Sequence, residues 1–117
     1  MRHELFPAAE LEPGEMRVVQ VDRVSMVVIR TPTGRFHAIR DVCPHYGARL
    51  SLGRVKPYVE GDEPGDYRYD SERFVLHCPW HGYEYGLDDG RCPADPTRLR
   101  VRSYDVTVED GVVYVDR

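Results

Sequence analysis

Two short segments bring thiol and imidazole side chains close together in the sequence: Cys43-Pro44-His45-Tyr46-Gly47-Ala48 and Cys78-Pro79-Trp80-His81-Gly82-Tyr83. Each offers one cysteine and one histidine a few residues apart. Proline and glycine in both segments predict loops, because neither residue suits a helix interior or a central strand. Four such donors are enough to close a tetrahedral zinc site or to hold a two-iron cluster. The residue types alone leave both kinds of site open.

The elements that must position these loops are short strands. Runs rich in β-branched residues recur every eight to twelve residues, which is typical of an all-β sandwich or barrel. The run Met26-Val27-Val28-Ile29 predicts a strand covered on both faces. The predicted strands are Glu4–Pro7, Met16–Val21, Ser25–Thr31, Phe36–Arg40, Arg73–His77, Val101–Val108 and Val112–Val115. No amphipathic stretch is long enough to predict a helix.

The size and cysteine content favour one domain, residues 1–117, in a reducing compartment. A chain of 117 residues can bury a core without disulfides. Three cysteines are an odd number, and Cys92 remains a lone thiol if the other two bind metal, which predicts a cytoplasmic protein. The acidic N-terminus contains no apolar run, so we expect neither a secretory signal nor a membrane span. We expect His3 to be disordered.

The charge of the chain bears on its partners. A net charge of -4 disfavours nucleic acid, which requires a basic surface, and allows a basic protein partner. Arg98, Arg100 and Arg102 alternate along one face of an extended segment. We interpret them as a charged edge that discourages association between sheets, with a partner-binding stripe as the alternative.

The pattern Cys-x-His followed later by Cys-x-x-His, with a glycine soon after each histidine, resembles the Rieske iron–sulfur family. The local sequence Cys78-Pro79-Trp80-His81-Gly82 is very specific to that family. Pro96-Thr97-Arg98-Leu99 resembles the proline loop that shields the cluster in its members. The resemblance begins near Met16 and covers nearly the whole remaining chain. It implies the Rieske fold, an antiparallel β-sandwich or barrel with a small cluster-binding subdomain formed by two loops.

The resemblance implies one [2Fe-2S] cluster with an asymmetric ligand set. Cys43 and Cys78 are expected to bind the inner iron, and His45 and His81 the outer iron, from which the electron would leave. The residues expected to surround these ligands are Tyr46, Gly47, Trp80, Gly82, Tyr83, Tyr85 and Pro96.

The donor types also bear on the reduction potential. Two ferric ions, two sulfides and two thiolates sum to zero charge, so the potential is higher than with four thiolates. Respiratory Rieske proteins carry an extra cysteine in each loop and a serine after the second His-Gly; Ala48, Trp80 and Tyr83 occupy those positions here. The chain therefore resembles the low-potential, ferredoxin-like branch. Tyr85 falls where the respiratory type has a tyrosine bonded to a ligand sulfur, and we expect its hydroxyl to raise the potential.

The gap between the two motifs departs from the family pattern. His45 and Cys78 are separated by 32 residues, which is longer than usual. We therefore predict an insertion at about 54–70, a hairpin-like excursion within a cluster-binding part at about 41–91. Lengthening a surface loop costs only about 0.6 kcal/mol per doubling, so the site tolerates it.

The function implied by the resemblance is that of a soluble one-electron carrier with no catalytic residues of its own. The expected setting is the ferredoxin component of a multicomponent ring-hydroxylating oxygenase system, between a reductase and a terminal oxygenase. A small subunit of an assimilatory nitrite reductase is a second interpretation. A zinc-stabilised interaction module is a third. The Cys-x-His spacing is unusual for zinc, however, because zinc fingers typically begin Cys-x₂₋₄-Cys. Cys92 is expected to be an inert, half-buried thiol, and His77 is assigned no role.

Overall fold

The fold was analysed in a computed structural model that describes residues 1–44, 47–60, 68–79 and 82–117. Within these ranges the chain is all-β, with nine strands and two 3₁₀ turns, Ala8–Glu10 and Leu50–Leu52. The strands are β1 (Arg2–Pro7), β2 (Met16–Val21), β3 (Val24–Arg30), β4 (Phe36–Arg40), β5 (Arg54–Glu60), β6 (Arg68–His77), β7 (Glu84–Gly86), β8 (Ser103–Glu109) and β9 (Val112–Asp116). No helix in the described ranges has the length and apolar composition needed to cross a bilayer.

The strands form two antiparallel sheets. The larger has six strands in the order β1-β9-β8-β4-β3-β2, and the smaller has three in the order β5-β6-β7. Side chains from both edges of the larger sheet, Phe6 of β1 and Val21 of β2, belong to one apolar cluster with Val113 of β9. The larger sheet therefore curls into a nearly closed barrel, and the predicted all-β class with a small subdomain is confirmed.

Strand β3 is buried on both faces, as its apolar run predicts. Met26 and Val28 pack into the barrel interior, whereas Val27 and Ile29 belong to a second cluster. Alternate residues of a strand point to opposite faces of the sheet, so β3 serves two cores at once. The second cluster, which we call the inter-sheet core, also contains Leu76 of the smaller sheet. It joins the sheet that carries the ligand loops to the barrel.

The predicted excursion is a hairpin. Strand β5 pairs with β6 from Arg54↔His77 to Glu60↔Arg68, with an irregularity between Pro57 and Tyr58. Its base, Arg54 to Pro57, pairs with Phe74 to His77, directly before the second ligand loop. The tip, residues 61–67, lies outside the described residues. The base of the hairpin thus belongs to the sheet that carries Cys78.

One tight turn matches its sequence signal, and one expectation is wrong. Asp110 and Gly111 join β8 to β9 with φ values of +49° and +75°, the conformation that an Asp-Gly hairpin turn requires. His3 is ordered in β1, opposite Val115, rather than disordered. Its Nε2 lies 3.4 Å from Oδ2 of Asp22. Pairing with the last strand of the chain is a long-range interaction, which the local sequence does not reveal.

Candidate metal centre

The two ligand loops close in the same way. The backbone N–H of Cys43 donates to the carbonyl of Ala48 at 2.8 Å, and that of Cys78 donates to the carbonyl of Tyr83 at 2.7 Å. In both loops the acceptor is the fifth residue after the cysteine. The fourth residue is a glycine with positive φ, Gly47 at +72° and Gly82 at +70°. The two segments are therefore geometric equivalents, each with its cysteine at the base.

Four of the predicted site residues lie outside the described residues: His45, Tyr46, Trp80 and His81. In both loops they fall, in the sequence, between the cysteine that donates the closing hydrogen bond and the residue that accepts it. No group of three potential metal ligands occurs among the described residues, which include only the two cysteines of the predicted set.

Both cysteines lie in the inter-sheet core. Cys43 is 1% exposed and Cys78 is 0% exposed, and they share this core with Leu50, Leu76 and Tyr85. Thiolates are soft, anionic donors that suit iron–sulfur clusters as well as zinc. Two buried thiols, carried by two equivalent loops into one apolar environment, fit the cysteine half of a Rieske ligand set. They also fit the expectation that the cysteines hold the inner metal.

Tyr85 provides the clearest polar contact in this core. Its Oη lies 3.2 Å from Sγ of Cys43, and the residue is fully buried on β7, opposite Leu76. Burial, and then the contact with Cys43, raises the pKa of Tyr85. The hydroxyl therefore stays protonated, and it donates when Cys43 is a thiolate, because a thiolate only accepts. A contact between the Tyr85 hydroxyl and a cysteine sulfur is the one expected from the sequence.

A buried carboxylate fixes the start of the first loop. Asp41 follows β4 and has a side chain that is 0% exposed. It accepts hydrogen bonds from the backbone N–H of Ser51 at 2.6 Å and from the Ser51 hydroxyl at 2.8 Å. Arg49 Nε lies 3.5 Å from the same carboxylate. The loop is thereby tied to the 3₁₀ turn that follows it, a role that the sequence analysis missed.

A glycine brings this turn against the strand that leads to the second loop. A Cβ built on Gly53 would lie 1.9 Å from the backbone oxygen of His77, a distance no side chain tolerates. Gly53 is thus required for the close approach of the two segments. This contact connects the end of the first ligand loop to the residue before Cys78, and the sequence analysis missed it too.

His77, assigned no role from the sequence, supports the second loop. Its Nδ1 lies 3.4 Å from Oε2 of Glu84, which also pairs with Nζ of Lys56 at 2.9 Å. A Cβ on Gly82 would lie 3.3 Å from two atoms of the His77 ring, so the ring lies directly against the loop. Sequence spacing gave no sign of this contact, because it depends on the pairing of β6 with β7.

The segment after β7 lies beside the second loop. Cys92 N–H donates to the carbonyl of Leu99 at 3.0 Å and closes a compact turn that contains the exposed Pro96. A groove of about 350 Å³ separates this segment from the second loop, lined by Gly82, Tyr83, Glu84, Cys92, Pro93 and Ala94. Cys92 is 1% exposed, so it is fully buried rather than half-buried as expected.

Comparison with known proteins agrees with this geometry. The 3-phenylpropionate/cinnamic acid dioxygenase ferredoxin subunit of Escherichia coli K12 is 27% identical over 110 residues, covering 94% of this chain and 88% of that protein. Apoptosis-inducing factor 3 of Homo sapiens is 29% identical over 106 residues, or 91% of this chain. This chain spans only 15% of that longer relative.

Solved structures agree as well. A structure reported as the small subunit of an NADH-dependent nitrite reductase from Mycobacterium tuberculosis superposes with a TM-score of 0.79 at 29% identity, covering 100% of this chain and 95% of that one. A chain in the complex of reduced oxygenase and oxidized ferredoxin of carbazole 1,9a-dioxygenase gives 0.71 at 27% identity, covering 97% and 100%.

The sequence model of the Rieske [2Fe-2S] domain matches residues 1–105, which include both ligand loops and the proline-containing segment. This match favours a two-iron cluster over the zinc site that the donor count alone allowed. The chain therefore belongs to the Rieske [2Fe-2S] domain family, and this membership implies one Rieske-type cluster.

Proposed function

We propose that this protein is a one-electron carrier whose Rieske-type cluster is held by Cys43, His45, Cys78 and His81. The observation that carries the proposal is the equivalence of the two loops, each closed by a hydrogen bond from its cysteine and each delivering that cysteine to one buried core. When bound, the cluster would provide one-electron redox chemistry, taking up a single electron and then releasing it.

The protein anchors and shields that group. Cys43 and Cys78, which lie in the inter-sheet core, would hold the inner iron, and the Tyr85 hydroxyl would donate to the Cys43 thiolate. His45 and His81 would hold the outer iron. The residues proposed to surround the site are Tyr46, Gly47, Trp80, Gly82, Tyr83 and Pro96.

The proposed setting is a ring-hydroxylating oxygenase system. The chain spans most of the length of the E. coli dioxygenase ferredoxin subunit, which supports an independent ferredoxin component. Its partners are then a reductase and a terminal oxygenase, met in the cytoplasm through brief contacts of small area. Neither a membrane nor a nucleic acid takes part, and the chain itself has no catalytic residues.

The small subunit of an assimilatory nitrite reductase is the second candidate. It is favoured by the TM-score of 0.79 to the structure reported as the small subunit of an NADH-dependent nitrite reductase. The two candidates differ in how the partner is held. Stable co-purification with a large haem-containing protein from the native cells supports the nitrite reductase subunit. Isolation as a separate red-brown protein supports the oxygenase ferredoxin.

We further propose that residues 1–117 act as one domain with a cluster-binding part at about 41–91. The hairpin at about 54–70 is an insertion whose base is part of the smaller sheet. Deleting Gly61 to Gly65 from its tip is then expected to leave the visible spectrum of the cluster unchanged. Loss of the spectrum would show that the tip is needed to build the site.

The experiment that tests the function is anaerobic purification followed by reductive titration. We expect two iron atoms and two acid-labile sulfides per chain, and bleaching that is complete at one electron per chain. The reduced protein should then pass its electron to an external acceptor and recover its original spectrum. A colourless protein with one zinc per chain would overturn the proposal.

A further inference from the structure

Three arginines line a surface groove beside the first ligand loop. Arg40 ends β4, and Arg100 and Arg102 precede β8. Together with Val42, Pro44 and Val101 they line a groove of about 330 Å³, and Arg100 and Arg102 continue into an adjoining depression of about 380 Å³. Pro44 lies between Cys43 and the predicted ligand His45 in the sequence. The groove therefore reaches the loop from which the electron is expected to leave.

The register of the sheet concentrates these charges. Ala38 pairs with Tyr104 and Ile39 with Ser103, and the Arg40 N–H donates to the Arg102 carbonyl at 2.9 Å. Arg40 and Arg102 are thus direct cross-strand neighbours with side chains on the same face. Like charges in this position destabilise a sheet. Folding alone gives no reason for two arginines there.

Carboxylates of the described residues do not neutralise this charge. Between described residues, the arginines that form ion pairs are Arg2, Arg17, Arg49 and Arg117. Arg40, Arg100 and Arg102 are all exposed. The Arg102 guanidinium lies 5.4 Å from the centre of the Tyr104 ring, which limits its freedom. A protein with a net charge of -4 therefore carries a positive surface next to its metal site.

The composition of the groove favours a protein as its occupant. Exposed guanidinium groups stand beside apolar surface, with Val42 38% exposed, and arginine next to apolar side chains is typical of the centre of protein interfaces. A site for a small anion would instead bury convergent donors, whereas these three side chains face solvent. Three arginines in one groove do not form the extended basic face that follows a nucleic-acid backbone.

We propose that the groove lined by Arg40, Arg100 and Arg102 docks a carboxylate-rich surface of a redox partner against the first ligand loop. This inference rests on the proposed electron-carrier function. It reverses the expectation of a basic partner, which the net charge suggests, because a local field at the docking site governs orientation more than the total charge. It also gives Arg100 and Arg102 a role in binding rather than in protecting a sheet edge.

The test uses two small haem proteins of opposite surface charge, acidic cytochrome b5 and basic cytochrome c. The protein is reduced with dithionite, freed of excess reductant and mixed with each ferric acceptor in a stopped-flow instrument. Each event oxidises the protein by one electron and reduces one haem from ferric to ferrous. We expect the rate with cytochrome b5 to fall as salt is added, since salt screens an attractive field.

Two double variants of equal charge change separate the groove from the rest of the surface. Arg100→Gln/Arg102→Gln is expected to slow oxidation by cytochrome b5 about tenfold at low salt, with no loss of rate with cytochrome c. The control is Arg17→Gln/Arg35→Gln. Arg17 lies in β2, and Arg35 directly precedes β4, at the opposite end of that strand from Arg40. It should retain nearly the full rate. Both variants should keep the circular dichroism and visible spectra and the reduction potential of the parent.

The outcomes distinguish this inference from the proposed function. Equal slowing by both double variants, or a cytochrome b5 rate that rises with salt, overturns the docking site. If the groove variant slows oxidation by ferricyanide but not by cytochrome b5, the groove binds small anions and the protein-docking proposal is wrong. A protein that reduces none of these acceptors at any salt concentration contradicts the electron-carrier function itself.

Discussion

The hydroxyl oxygen of Tyr85 lies 3.2 Å from the sulfur of Cys43, inside the core between the two sheets. A donor at this distance stabilises the sulfur most when its negative charge is greatest, which is in the reduced state. The hydroxyl is held there by burial and by the pairing of β7 with β6. We therefore expect this side chain of the smaller sheet to affect the reduction potential through Cys43, the proposed ligand from the first loop.

Tyr85→Phe should therefore lower the midpoint potential. The variant removes the donor and keeps the ring. A hydrogen bond that favours the reduced state by about 1 kcal/mol corresponds to roughly 40 mV for one electron. Protein-film voltammetry measures this shift. Tyr104→Phe, at a half-buried residue that packs against the barrel core, is the control and should leave the potential unchanged. An unchanged potential in Tyr85→Phe would show that the contact does not act on the cluster.

Gly53→Ala should destabilise the protein by about 3 kcal/mol, because its Cβ would lie 1.9 Å from the His77 carbonyl oxygen. The backbone of the turn and that of β6 must then separate, which moves both ligand loops. Urea unfolding, followed by circular dichroism and by cluster absorbance, measures the loss. Leu52→Ala is the neighbouring control, since Leu52 is 70% exposed, and should cost far less. Equal midpoints for the two variants would contradict the close approach.

Gly47 and Gly82 form a matched pair for testing the second loop. Both have positive φ, so alanine at either position costs about 1 kcal/mol of backbone strain. Alanine at Gly47 meets nothing within 4 Å, whereas alanine at Gly82 would lie 3.3 Å from the His77 ring. Gly82→Ala should therefore release iron faster than Gly47→Ala in the presence of a chelator. Adding His77→Ala to Gly82→Ala should remove part of this difference in the rate of iron release. If the effects of the two substitutions are simply additive in a double-mutant cycle, the His77 ring does not support the loop.

Asp41 and Ser51 allow a graded test of the first loop. Asp41→Ala leaves the partly buried N–H of Ser51 without its acceptor and should cost about 2 kcal/mol. Ser51→Ala removes only the hydroxyl donor and should cost about 1 kcal/mol. Denaturant unfolding of the two variants measures which of them loses more free energy of unfolding. If Ser51→Ala proved the more damaging change, the carboxylate would not be what holds the loop.

Many of the strands and turns can be predicted from the local sequence. Phe36–Arg40 is a strand with the bounds predicted, and the apolar run in β3 indicates burial on both faces because each face of that strand meets a different core. The turn at Asp110 and Gly111 follows from the backbone freedom of its residues. The paired loops are also readable, since proline and glycine flank the donors in both.

What the sequence did not reveal depends on contacts between distant segments. Asp41 precedes the first cysteine by two residues, but its partner Ser51 is identified only once the loop is folded. The clash that requires Gly53 involves a carbonyl in another strand. Arg40 and Arg102 become neighbours only through the register of β4 and β8. Two arginines of the predicted charged edge, Arg100 and Arg102, thereby line a groove beside the first ligand loop.

The most direct test of the ligand set is electron spin-echo envelope modulation on the dithionite-reduced protein. The account predicts a spin one-half signal coupled to two inequivalent imidazole nitrogens. Labelling histidine with nitrogen-15 should change both couplings, and His45→Cys or His81→Cys should each remove one. A reduced protein whose signal shows no coupling to histidine nitrogen, or that gives no signal and contains a single zinc, would contradict the central claim.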